Sequence, residues 1–181
     1  FLAKTVTLVS IVLACWALSI VVNASYQAAH GYYRFEWWLY LVDSFIFKAP
    51  YYIWLGVLAL TCQAVIRKRY VAMGVVLLVY ASEVMLDALD LFHPMIRYGR
   101  VSHFYYSLMD CYGHFCKAHL WTSLYWTLAA ILIWLIGWGS LPRGVNAPSP
   151  RWYWQRRLFG GSGLSALAIV FIGFVSVGSY I

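Results

Sequence analysis

Charge is what this sequence has least of. Asp, Glu, Lys and Arg make up 10% of its 181 residues and only six are acidic, whereas 64% are hydrophobic. A soluble globular chain carries about a quarter of its residues charged, so a water-soluble fold is excluded and lipid is the expected solvent. Also missing is the roughly ten-residue apolar–polar alternation of a membrane barrel strand. The runs LVSIVLACWALSIVV and LAAILIWLIGW are continuously apolar, which leaves helices as the spanning element. No HExxH, P-loop, GxSxG or paired CxxC signature occurs, so no catalytic residue is assigned. No cationic segment with a small-residue cleavage site marks a signal peptide. The chain opens on Phe1 almost inside a span and closes on apolar GFVSVGSYI, and is therefore expected to be a piece of a longer protein.

What is present reads as an all-α polytopic transmembrane bundle with about five spans plus interfacial helices. A crossing needs about 20 mostly apolar residues, and the spans fall near 5–22, 49–66, 70–89, 118–139 and 158–181, a single membrane domain over 1–181. Positive charge retained on the cytoplasmic side sets the orientation. Lys4, Arg67, Lys68, Arg69, Arg143, Arg151, Arg156 and Arg157 share one side with no acid. Arg34, Lys48, Arg97, Arg100 and Lys117 share the other with all six acids. The amino end is therefore expected inside and the carboxyl end outside, in a bacterial inner membrane. The net charge of +7 is explained by topology and anionic headgroups, and a nucleic-acid partner is not expected.

Between the first two spans, the aromatic stretch with Tyr32, Tyr33, Trp37, Trp38 and Tyr40 is expected at headgroup depth. Pro50 is expected to open the second span, where a helix tolerates it. Arg67, Lys68 and Arg69 alone join the second and third spans, which makes a tight antiparallel hairpin. The last span is rich in Gly, Ala and Ser, which permits close helix contact.

Two groups of residues could carry chemistry. Glu83, Asp87 and Asp90 recur at i, i+4 and i+7, on one helical face. Within a span they would form a translocation site, a proton relay or a contact for a basic partner; at a helix end they would simply be solvated. Cys111, His114, Cys116 and His119 carry ligand chemistry, but their short spacing departs from the paired ligands of structural zinc sites. Along one helix they would spread around the axis. Haem needs axial ligands within facing spans, whereas His30, His93, His103 and His114 fall in connections and His119 at a span's edge. No metal ligand and no cofactor is assigned to this segment.

The run Tyr105-Tyr106-Ser107-Leu108-Met109-Asp110-Cys111-Tyr112-Gly113-His114-Phe115, with Leu120-Trp121 and Leu124-Tyr125-Trp126 after it, resembles a known family. It is similar to the second permease half of bacterial proteins that fuse a type-2 ABC exporter membrane domain to a zinc aminopeptidase. The resemblance implies a permease half lacking its first span and a downstream extracytoplasmic domain. It also implies partnership with a second permease half and a cytoplasmic ATP-binding subunit. It gives Tyr106, Ser107, Met109, Tyr112, Gly113, His114, Phe115, Trp121, Tyr125 and Trp126 structural roles. Any catalysis would lie in the downstream peptidase or the separate ATPase. Two other classes stay open on the residues alone: a membrane metal- or haem-binding redox protein, and a structural assembly subunit.

Overall fold

The computed structural model describes residues 1–31, 33–66, 68–89, 95, 97–101, 113–140 and 161–181. Among them the ordered elements are helical, and five helices are long and apolar enough to cross a membrane: Leu2–Ala29, Trp37–Val65, Arg69–Leu86, Phe115–Ser140 and Gly163–Tyr180. The chain is an all-α, multi-pass membrane protein. It divides into two compact units, Phe1–Gly56 and Val57–Ile181.

The first unit begins with α1, Leu2–Ala29. At 1.5 Å per residue this helix is about 42 Å long, longer than the roughly 30 Å hydrocarbon core, so it outruns the 5–22 span expected from hydropathy. It stops at Gly31, whose positive φ of 80° suits a residue without a Cβ. The Gly31 N–H reaches back to Ala28 O at 3.0 Å. A short helix α2, Trp37–Leu41, leads into a π-helical turn, Val42–Lys48, and then α3, Ala49–Val65.

The second span therefore starts twelve residues before the expected 49, at Trp37, and Pro50 lies inside a continuous helix instead of opening one. Its ring has no N–H and crowds the carbonyl four residues back, that of Ile46. A wider i→i+5 turn just before it relieves that crowding. Tyr40 donates its hydroxyl to Gln27 Oε1, tying α2 to α1. Further along, Trp16 and Tyr52 rings meet at 5.6 Å. At Gly56 an added Cβ would lie 2.7 Å from both Leu8 methyl carbons, so the lack of a side chain there sets how closely α1 and α3 approach.

The second unit holds the end of α3 with α4 (Arg69–Ala88), α5 (Gly113–Ser140) and α6 (Gly161–Tyr180). α5 and α6 run antiparallel along an aromatic seam. Trp121 meets Tyr180 at 4.6 Å, Tyr125 stacks on Phe174 at 4.5 Å, and Leu128 lies against Gly173. α4 keeps Leu77, Leu78, Val84 and Met85 exposed, an apolar surface that lipid covers.

Hydroxyl groups show how this solvent shapes the helices. Thr7, Ser10 and Ser25 in α1 bond back to Ala3, Val6 and Val21 carbonyls at 2.9, 2.9 and 2.7 Å. Thr122, Thr127 and Ser140 in α5 do the same to Ala118, Ser123 and Ile136, each at 2.7 Å. Such i−4 bonds satisfy the hydroxyl without water. Thr61 instead crosses from α3 to Ile133 O of α5 at 3.2 Å, a polar tie between spans.

The glycines give a paired test. Gly56→Phe should lower stability in detergent by about 1–3 kcal/mol through overpacking against Leu8. Gly74→Ala, where a Cβ meets nothing within 4 Å, should leave the melting temperature unchanged or raised.

Candidate functional site

Among the described residues of the second unit, polar chemistry gathers at Arg97, Tyr98, Gly99 and Arg100. They form a tight turn closed by the Arg100 N–H bonding to Arg97 O at 3.2 Å. Gly99, its third residue, has φ 74°. That combination fits a type II turn, which calls for glycine at this position. Polar composition and a glycine make 97–100 read as a loop, and the sequence placed it with the external connection.

The structure sets it beside the middle of α5 and the carboxyl-terminal turn of α6. Trp126 is the fourteenth of the 28 residues of α5, and its Nε1–H donates to Arg100 O at 3.1 Å. The Tyr98 ring meets the Trp126 ring edge-on at 5.2 Å. The Met95 methyl comes within 4.0 Å of where a Cβ on Gly178 of α6 would lie. Cys62 of α3 lies near enough to the Tyr98 phenol to interact with it. The turn is thus enclosed by α3, α5 and α6. Gly99 is buried, and Arg97 is 1% exposed.

The sequence placed Arg97 and Arg100 in the external connection; the structure adds that this connection folds back against α5 and α6, which buries Arg97. Hydropathy averaged over a span cannot distinguish a surface loop from a short polar segment folded back among helices. Irregular backbone at that depth is tolerated where protein surrounds it. Taking a guanidinium out of water costs several kcal/mol unless its protons are well satisfied. An ionisable group enclosed by spans is accordingly a functional-site candidate in its own right.

His119 is a second polar residue drawn inward. Expected at a span's edge, it is the seventh residue of α5 and 2% exposed. Cys116, three residues before it and therefore on a neighbouring position of the helix, is an exposed free thiol, so burial differs between these two members of the Cys/His string. Cys111, His93 and His103 lie outside the described residues, as does the His114 side chain. Among the described residues no three His, Cys, Asp or Glu side chains gather at one point.

Of the acid stripe, Glu83 lies inside the apolar stretch Arg69–Leu86 and is half-buried. Asp87 sits on α4 just past that stretch; its side chain and all of Asp90 lie outside the described residues. Of the motif residues, Trp121, Tyr125 and Trp126 all belong to the aromatic packing, with α6 and with the arginine turn. Gly113 begins α5 and Phe115 is exposed on its first turn. Tyr106, Ser107, Met109 and Tyr112 lie outside the described residues. From the sequence, Arg97 entered only as a cation of the external connection and His119 only as a ligand candidate at a span's edge; their burial was not foreseen. The available signal was the RYGR run, two cations around a glycine in a chain so poor in charge.

An open apolar groove of about 360 Å³ in the first unit, beside Trp16 and Tyr52, has Cys15 and Ser19 in its wall and no charged side chain. It offers less chemistry than the arginine turn.

No protein-family model, no curated protein and no solved structure matches the chain. The class defined by fold and site is a multi-pass helical membrane protein with an arginine-bearing turn enclosed by its spans.

Trp126→Phe deletes the donor to Arg100 O and should cost about 0.5–1.5 kcal/mol. Gly99→Ala forces a Cβ into the left-handed region and should cost about 1–2 kcal/mol. Both are read by thermal denaturation in detergent, with Trp38→Phe, at a site 77% exposed, expected to change nothing.

Proposed function

We propose that this chain is the permease segment of an ABC-type exporter, a type-2 half that works with a second permease half and a cytoplasmic ATP-binding subunit. The observation that carries the reading is the enclosed turn at 97–100. An arginine 1% exposed among the helices supports the reading, because a protein that moves polar cargo uses polar groups within its membrane region. The motif resemblance supports the same reading, because Trp121, Tyr125 and Trp126 are the residues that seat the turn and join α5 to α6.

In this reading Lys4, Lys68 and Arg69 hold the cytoplasmic side of a bacterial inner membrane, and the carboxyl end faces out. ATP is hydrolysed on the partner subunit, and a zinc aminopeptidase follows outside the membrane in the full-length protein. Glu83 and Asp87 lie toward the outer half of α4, where they contribute to the path or to a partner contact.

Two measurements test this. Full-length protein purified from native membranes in mild detergent should bring down an ATP-binding subunit in near-equal amount; its consistent absence contradicts the exporter reading. Alkaline phosphatase, active only outside the cytoplasm, should be silent when fused after Lys68 and active when fused after Ile181; the reverse pattern contradicts the orientation.

A further inference from the structure

The π-helical turn Val42–Lys48 contains a second device. Within it Asp43 and Lys48 form an ion pair five residues apart, and the Ala49 N–H bonds to Ser44 O, also five residues back. Five residues close one π turn, so the two charges stack one above the other. In an α-helix the same spacing is about 140° around the axis, and the side chains point apart. The pair therefore exists in one register only. An α register would leave a carboxylate and an ammonium separated within a stretch apolar enough to span a membrane, where lone charges are costly.

The register also decides what precedes it. Ser44 and Phe47 are buried and the turn packs on α1, and Tyr40 of α2 is bonded to Gln27 of α1. A π turn amounts to one residue more than an α-helix needs, so resolving it rotates α2 against α3 by about 100°. That rotation removes Tyr40 from Gln27 and turns Trp38, now the most exposed residue of α2, to a new direction. Pro50 supplies the reason for a defect in this helix; Asp43 and Lys48 determine where it stays.

We propose that the Asp43–Lys48 pair is a register latch, holding the second span in its π form until another charged group competes for either member and lets α2 rotate. The test is a cysteine scan of positions 37–41 in full-length protein in membranes, with Cys15, Cys62, Cys111 and Cys116 replaced by Ala, labelled with a thiol reagent. With the pair intact, position 38 should label fastest. Asp43→Asn and Lys48→Met should each lower labelling at 38 several-fold and move the maximum to a neighbouring position. The exchange Asp43→Lys with Lys48→Asp should restore the original profile. An unchanged profile in the single-charge variants overturns the latch, since Pro50 and packing then suffice. A shifted profile in the exchange variant overturns it too, and that result stands even if a single-charge variant fails to accumulate.

Discussion

Lipid offers no hydrogen bonds, so each peptide N–H and C=O in a spanning segment needs a partner inside the protein. Regular helices meet that demand locally, and the five long helices of this chain are the direct result. The same demand explains why hydroxyls of α1 and α5 fold back on their own carbonyls, and why the bond from Thr61 to Ile133 acts as a tie between α3 and α5. Packing follows from the same solvent. With no hydrophobic drive between helices, contact depends on shape, which is supplied at Gly56 by a missing side chain and between α5 and α6 by interlocked aromatic rings.

Against that background two departures from regular helix among the described residues are informative, because each is held by groups that offset it. The π turn is paired across its own wider pitch by Asp43 and Lys48. The turn at 97–100 closes on itself through Arg100 and Arg97, and offers the Arg100 carbonyl to the Trp126 indole. Backbone irregularity in membrane proteins concentrates where helices must bend or bind. One departure therefore reads as a latch and the other as the place where polar chemistry is carried among the spans. Under the proposed permease function both have a use: charge among the helices for a polar cargo, and a helix able to change pitch.

Much of the architecture was legible in composition alone. Unbroken apolar runs identified five spans, although α1 runs past the expected 22 to Ala29 and the second span begins at Trp37 instead of 49. Two features escaped. The extra helix from 37 to 48 carries Glu36, Asp43 and Lys48 in and around it, and local charge lowers hydropathy even when two of the charges neutralise one another at a spacing that only a π turn allows. The enclosed turn escaped for a related reason. Arg97 and Arg100 read as surface residues, and nothing in the spacing of RYGR announces that Trp126, 26 residues from Arg100 along the chain, will hold it beside the middle of α5. The motif residues were recognisable as a set, but their role as the seat of that turn comes only from three-dimensional contact.

The depth of the arginine turn is the claim on which the functional reading rests, and hydrogen–deuterium exchange of the full-length protein in lipid nanodiscs addresses it without altering a residue. If the turn is enclosed by α3, α5 and α6, the amides of residues 97–101 exchange as slowly as those around Trp126. Complete exchange of 97–101 on the fast timescale of a solvated surface loop, while the centre of α5 stays protected, would contradict it.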